Sequence, residues 1–308
     1  MQPLVSVIIP TYNEEDYIQE CIHSLQQQTL QEFEVIFIDD DSTDATREHI
    51  RNADDDRFRL IHRTESQSIP SARNRGIAES RGKFIANQDA DDISRPQRLE
   101  RQVEYLNAHE HVDIVGTQCQ NFTTTRRLDK PRSLAHEPAQ YMPNQFVHGS
   151  LMFRQEVLST LGGYDESFHV AEDAELMAQA ESNYTFHNMQ ERLYKRRVYT
   201  GSTYEQDPTR ATRYGKYVRG EYDMPVSRFA QLTEDEVSDV MTEDKYAEYT
   251  SELAVEHLRF GNFQKARSYG YRSLPSIKAV ALIFLSLTTI HVVDAFEYIE
   301  RQKNNYFE

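Results

Sequence analysis

The chain has 308 residues, 38% of them hydrophobic, and its 18 tyrosines and 15 phenylalanines supply the bulk a sizeable core needs, so wholesale disorder is excluded. Asp and Glu number 50 against 34 Lys and Arg, a formal net charge of -16. Such a balance excludes a protein whose main task is gripping nucleic acid phosphates, and it directs attention to a small or metal-bridged ligand.

Leu4 to Ile9 is a short β-rich run closed by Pro10, the pattern of a strand buried on both faces. From Glu14 the apolar positions Tyr17, Ile18, Cys21, Ile22 and Leu25 recur at helical spacing, with Asn13 placed to cap the helix. Glu34 to Ile38 predicts a second strand, Ser42 or Thr43 can cap a helix toward Ile50, and Phe58 to Ile61 predicts a third strand. Pro70 to Glu79 then reads as a helix and Lys83 to Asn87 as a strand. Strands alternating with helices imply an α/β fold with a parallel sheet, whose ligands bind at the carboxyl ends of the strands.

The usual phosphate-binding device of such a sheet is a glycine-rich loop after the first strand. The first glycine here is Gly76, so neither a dinucleotide fingerprint nor a P-loop can follow the first or second strand. Also absent are the G-x-S-x-G elbow, the H-E-x-x-H pair and C-x-x-C. What stands at the strand ends instead is acid: Asp39-Asp40-Asp41 and Asp89-Ala90-Asp91-Asp92. Crowded carboxylates repel one another unless hydrogen-bond donors or a divalent cation lie between them, and hard oxygen donors favour Mg²⁺ or Mn²⁺. For the first cluster helix capping is an equal reading, because Asp41, Ser42 and Asp44 stand at a helix start.

Val5 to Glu14, Ile38 to Asp44, Ala72-Arg73-Asn74-Arg75-Gly76 and Asp89 to Asp92, continued by Gly162-Gly163-Tyr164-Asp165 and Glu172-Asp173, closely resemble the motifs of family 2 inverting glycosyltransferases. The resemblance covers roughly residues 3–203. It implies the GT-A fold, a Rossmann-like, mostly parallel sheet flanked by helices. It also implies that Pro10, Thr11, Tyr12, Asn13 and Glu14 lie along the nucleoside of a nucleotide-sugar donor and that Asp39 accepts a hydrogen bond from the base. UDP is favoured, with GDP compatible. By the same resemblance Arg73 faces the diphosphate, Asp89 and Ala90 lie on the ribose or sugar side, Asp91 ligates Mn²⁺ or Mg²⁺, and Asp92 caps the turn toward a helix starting near Arg95-Pro96. Asp173 matches the base that takes the acceptor proton, and Glu172, His148 and Gly149 fall on the acceptor side. The reaction implied is attack by an acceptor hydroxyl of a glycan or lipid-linked glycan, with inversion at the anomeric carbon.

Three positions depart from the family pattern. Asp41 and Ser68 stand where glycine is common, and Tyr199 stands where many relatives carry a histidine that completes the metal or diphosphate site. Arg196 or Arg197 could stabilise the leaving group in its place. Two rival readings accompany the departures: an inactive relative that binds nucleotide in a regulatory role, and a nucleotidyltransferase making sugar nucleotides.

After about Tyr204 charged helical segments dominate, which divides the chain into a catalytic region, 1–204, and an α-helical C-terminal region, 205–308. Ala247 to Phe260 and Phe263 to Leu274 predict a helical hairpin stopped by Pro275. Ile277 to Val293 is apolar on most sides yet short of the ~20 residues of a comfortable membrane span, so it fits packing against protein or contact with a membrane surface. Two cysteines, Cys21 and Cys119, suit a reducing compartment, and no basic, apolar leader precedes the first strand; both features predict a cytoplasmic protein, associated at most with the inner face of the membrane. Only 8 Lys stand beside 26 Arg, a balance that suits either high salt or ordinary acidic solubility.

Overall fold

The structure is a computed structural model that describes residues 2–64, 68–122, 146–168 and 171–197, with isolated positions at 236–237, 250, 253–254, 266 and 269. The chain divides into two compact units, Met1–Tyr199 and Thr200–Glu308, and the architecture below is that of the first. Of the helical hairpin only isolated positions are described, Thr250, Leu253, Ala254, Ala266 and Tyr269, each helical and buried; the apolar segment 277–293 and Tyr199 lie outside the described residues.

Eight strands form one mixed sheet in the order β3-β2-β1-β4-β7-β6-β8-β5. Its first half is parallel: β1 (Val5–Thr11) lies between β2 (Phe33–Asp39) and β4 (Phe84–Asn87), and β3 (Phe58–His62) adds to β2. Every residue of β2 and all but Pro10 of β1 are buried, as continuous apolar runs require when both faces are covered. Alternation then sorts the side chains: Val5, Val7 and Ile9 join one core with Ile18, Cys21, Ile22 and Leu25 of α1 (Ile18–Gln26) and Leu99, Val103 and Leu106 of α4 (Arg98–Ala108). On the opposite face Ile8 and Ile85 meet Leu151, Phe153 and the helices α5 (Gln155–Leu161) and α6 (Glu172–Glu181). Each buried Leu, Ile or Val stabilises by about 1.5–3 kcal/mol, so the two cores fix the sheet between its helical layers.

The second half of the sheet turns antiparallel. Strand β7 (Met152–Arg154) runs against β4 and β6 (Ile114–Phe122), and β8 (Phe186–Arg197) runs parallel to β6 and antiparallel to the two-residue β5 (Ile93–Ser94). β5, β6 and β8 are not among the strands the sequence predicts. Strand β8 carries Gln190, Glu191 and Arg192 at its centre and shows no sustained apolar alternation, and β5 is too short for any pattern.

Local capping also differs from expectation. Asn13 does not cap α1, which starts four residues after Glu14 and has no side-chain cap. It adopts the left-handed region (φ 54°), and its Oδ1 accepts from the Thr43 amide at 2.8 Å while its own amide donates to Ser42 Oγ at 3.0 Å. Ser42 and Thr43 therefore tie the two strand-end loops together instead of capping α2 (Thr46–Arg51), whose first turn is held by Asp44 and Glu15 carboxylates. Asp41 takes φ 68°, the conformation glycine would adopt at least cost. Ser68, by contrast, is extended and caps α3 (Ile69–Glu79) through the Ser71 amide at 3.3 Å, so no glycine is needed there. Asp92 does not cap the turn toward α4; its Oδ1 accepts from the Arg197 amide at 2.7 Å.

Candidate active site

The carboxyl ends of β1, β2 and β4 open on one rim, where the loops following them meet. Pro10 and Thr11 end β1 in register with Ile38 and Asp39, and Thr11 Oγ1 donates to the Ile38 carbonyl. Tyr12 is 53% exposed, the most exposed large hydrophobic side chain among the described residues. Asp39 is fully buried at the end of β2. Its Oδ2 accepts from His62 Nδ1 at 3.0 Å and the Ser42 amide at 3.3 Å, with Arg47 at 3.7 Å, whereas its buried Oδ1 has no partner. An acceptor left so costs about 1–3 kcal/mol until a ligand N–H meets it.

The loop after β4 gathers the acids. Arg73, buried on α3, donates to Asp89 Oδ1 at 2.9 Å, and its Nε and second terminal nitrogen are buried without partners. Burial works against the guanidinium charge, but Asp89, Tyr164 and Glu172 outweigh it and hold the arginine above its ordinary pKa. Asp91, half-buried, is pushed up to about 6 by burial and then by Asp89. Glu14 reaches about 8 through burial and repulsion from Asp91, Asp89 and Asp44. The three carboxylates thus feel one another strongly. Ala90 is buried in the core beneath them.

Facing this loop is the start of α6. Burial and then Asp173 raise Glu172 to about 7; burial raises Asp173, with Arg73 and the Ala174 amide, at 2.8 Å, opposing. Ala171 before them takes φ 61°, which turns the chain abruptly into the helix. Gly149 is required by close approach: a Cβ there would strike the Tyr194 hydroxyl and sit 2.6 Å from Asp89 Oδ2. His148 faces inward. Its Nε2 lies 3.0 Å from Asn87 Nδ2 and 2.9 Å from the Tyr164 hydroxyl, and burial, then Arg73, hold its pKa well below the ordinary value. It is a neutral member of a packed network. Gly162 and Gly163, at φ 79° and 82°, make the tight turn after α5.

Residues 6–162 match the family Glycosyl transferase family 2. The chain belongs to that family. This glycosyltransferase is 34% identical over 201 residues to the glycosyltransferase EpsE of Bacillus subtilis, covering 63% of its own length and 72% of the relative's. Among solved structures it resembles TarS 1-349 of S. aureus in complex with UDP (TM-score 0.57, 17% identity, 93% of each chain). It also resembles the mannosyltransferase PcManGT of Pyrobaculum calidifontis in complex with GDP-Man and Mn2+ (TM-score 0.57, 19% identity, 94% and 82%). Its fold is therefore the GT-A fold, as the motifs implied.

No group of three or more His, Cys, Asp or Glu side chains among the described residues makes a metal cage. The oxygen donors at the rim are Asp91 with Asp89 and Glu14 around it. They fit a hard divalent ion that takes one or two carboxylates and completes its shell with water and phosphate oxygens, the habit of Mg²⁺ and its like.

Several residues that shape the glycosyltransferase site were not foreseen from sequence. The Tyr194 hydroxyl accepts from the Asp89 amide at 3.2 Å. Arg197, suggested above for the leaving group, packs against the acidic loop: its Nε donates to the Asp91 carbonyl at 2.8 Å, its guanidinium lies near the Tyr17 and Phe122 rings, and its Nη2, 3.2 Å from a Glu20 carboxylate oxygen, is buried without a hydrogen-bond partner. Both sit on the unforeseen β8. His62 on Asp39 had one signal, its place at the end of a predicted strand.

Proposed function

We propose that the glycosyltransferase moves a sugar from a nucleotide-diphosphate sugar, a UDP-sugar by preference, to a hydroxyl of a glycan or lipid-linked glycan, with inversion and with a divalent cation, Mn²⁺ or Mg²⁺. The observation that carries this reading is the pairing of unsatisfied groups at one rim. The buried Asp39 Oδ1 lacks a donor, as a base imide N–H would supply, and Arg73 offers two buried nitrogens, Nε and one terminal nitrogen, without acceptors, as a diphosphate would supply. The UDP and the GDP-Man with Mn2+ named for the two structural neighbours support the donor class.

In this reading Tyr12 stacks on the base, Thr11, Asn13 and Glu14 line the nucleoside, and Asp91 with Asp89 holds the cation. When bound, that cation offsets charge on the departing diphosphate. Arg73 adds a fixed positive charge on the same side, its plane held by Asp89. Asp173 takes the acceptor O–H proton as the oxygen bonds to the anomeric carbon and the carbon–oxygen bond to the diphosphate breaks. Burial tunes it in the useful direction, because a base works best when its pKa approaches the ambient pH. The Ala174 amide and Arg73 oppose that rise. Glu172, on the same turn and raised to about 7, is partly protonated at neutral pH and can donate to the acceptor. The enzyme acts in the cytoplasm, its C-terminal region 205–308 serving an oligomer or membrane-surface contact.

The test is transfer from a panel of UDP- and GDP-sugars with Mn²⁺, analysed by product mass and anomeric configuration, for the wild type and Asp173→Asn. Transfer by the wild type alone, with inverted product, supports the proposal. Donor binding without transfer in the wild type would instead support the nucleotide-binding, inactive relative.

A further inference from the structure

Arg98, the first residue of α4, has no exposed surface and no carboxylate within ion-pair distance among the described residues. A fully buried guanidinium without a counter-ion is costly and calls for a reason. Burial is also what draws its pKa down to about 10. Its donors instead hold neutral acceptors: Nε reaches Gln102 Oε1 at 3.1 Å, one terminal nitrogen reaches Gln88 Oε1 and Ser94 Oγ at 2.9 Å each, and the other reaches the Asn87 carbonyl at 2.6 Å. All but Gln102 belong to the segment that carries the acidic loop.

Gln88 completes the arrangement. With Oε1 held by Arg98 and by Ser94 Oγ (2.6 Å), its amide nitrogen is aimed back at the loop and donates to the carbonyls of Asp89 at 2.9 Å and Asp92 at 3.1 Å. One side chain thereby closes both ends of Asp89-Ala90-Asp91-Asp92. Gln102 extends the connection, donating to the carbonyls of Val115 and of Ser150, next to Gly149.

We infer that Gln88 and Arg98 form a buried brace that positions the acidic loop for the cation and donor diphosphate: Gln88 fixes the main chain of Asp89 and Asp92, and Arg98 fixes Gln88 while placing a permanent positive charge beneath the carboxylates. Neither residue touches donor or cation; both are positioning residues. The inference rests on the donor-and-cation reading above. The brace also accounts for the missing counter-ion, because a carboxylate beside Arg98 would spend its charge locally and leave the loop uncompensated.

The experiment is Mn²⁺ binding by the full-length protein, followed by electron paramagnetic resonance as MnCl₂ is titrated in the presence of UDP, with GDP in a parallel series. The variants are Gln88→Met, which removes the bridging amide at similar volume, Arg98→Lys, and Leu106→Ala, which opens a cavity on the same helix away from the loop. The expected result is Mn²⁺ affinity at least 10-fold weaker in Gln88→Met and Arg98→Lys. Leu106→Ala should stay within twofold of wild type at an equal or larger loss of melting temperature. If Arg98→Lys fails to fold, Gln88→Met decides. Wild-type affinity in folded Gln88→Met, or an equal loss in Leu106→Ala, overturns the brace. Failure of the wild type to bind Mn²⁺ with either nucleotide overturns the donor-and-cation reading first, and the brace falls with it.

Discussion

Carboxylates that burial and mutual repulsion hold protonated are proton stores, and their titration has a sign. Glu14 at about 8, Glu172 at about 7 and Asp91 at about 6 all lie above their ordinary values, so between roughly pH 4.5 and 8 these three groups bind more protons in the folded chain than in the unfolded one. Their contribution to stability is complete below the ordinary carboxylate pKa and is lost as pH rises through those values. Glu34, Asp44 and Asp55, lowered by their hydrogen-bonding partners against the opposing effect of burial, act only near and below pH 4. Melting temperature without metal should therefore fall from pH 6.5 to pH 8, above the ordinary histidine pKa, where the opposite contribution of the neutral His148 is already complete, and Mn²⁺ with UDP should raise it most at pH 8; a flat or rising profile there would contradict the crowding of these acids. Asp173→Asn removes the proton acceptor while keeping shape, so turnover should drop by about 10² to 10⁴ with UDP affinity within a few-fold of wild type, as calorimetry can check. The identity of these residues was legible in sequence. Their electrostatics was not, because burial is the largest cause for each and Glu14 meets Asp91 and Asp89, far along the chain, only after folding.

The loops behave as coupled elements. Asn13 joins the β1 loop to the β2 loop, and its positive φ means that Ala brings strain as well as a lost hydrogen bond. Asn13→Ala should destabilise by about 2 kcal/mol and Asn13→Gly by about 1 kcal/mol in urea unfolding. Both should raise the KM for donor, since Tyr12 and Glu14 share the loop. Gly149→Ala sets a methyl group against Tyr194 and Asp89 together, so it should cost about 1–3 kcal/mol and abolish most activity through displacement of Asp89. A Gly149→Ala enzyme with wild-type KM and kcat would mean that the turn relaxes freely. The first four strands announced themselves by dense apolar runs, whereas β5 and β8 are partner-dependent: Ile93 and Ser94 form a strand only because Lys195 and Tyr194 lie opposite.

At the scale of the whole molecule, the buried apolar clusters that hold the sheet lie within Met1–Tyr199, as do all the rim residues. A chain ending at Tyr199 should bind UDP with Mn²⁺ by calorimetry, within about tenfold of the full chain, if the C-terminal unit serves contact with acceptor or partner; loss of folding would assign residues 200–308 a structural part. The α/β class, the order of the early elements and the acids at the strand ends were set by sequence alone, because those features depend on periodicity and neighbours within a few residues. The capping roles of Asn13, Ser42 and Thr43 read wrongly for the same reason, since their side chains found partners some 30 positions away. Tertiary structure alone decided that β8 stands beside the acidic loop, that Arg197 is sequestered there, and that an arginine without a carboxylate lies beneath it. Hydrogen bonds between groups 10 to 106 residues apart leave no periodic trace, and only the closed sheet brings them within 3 Å.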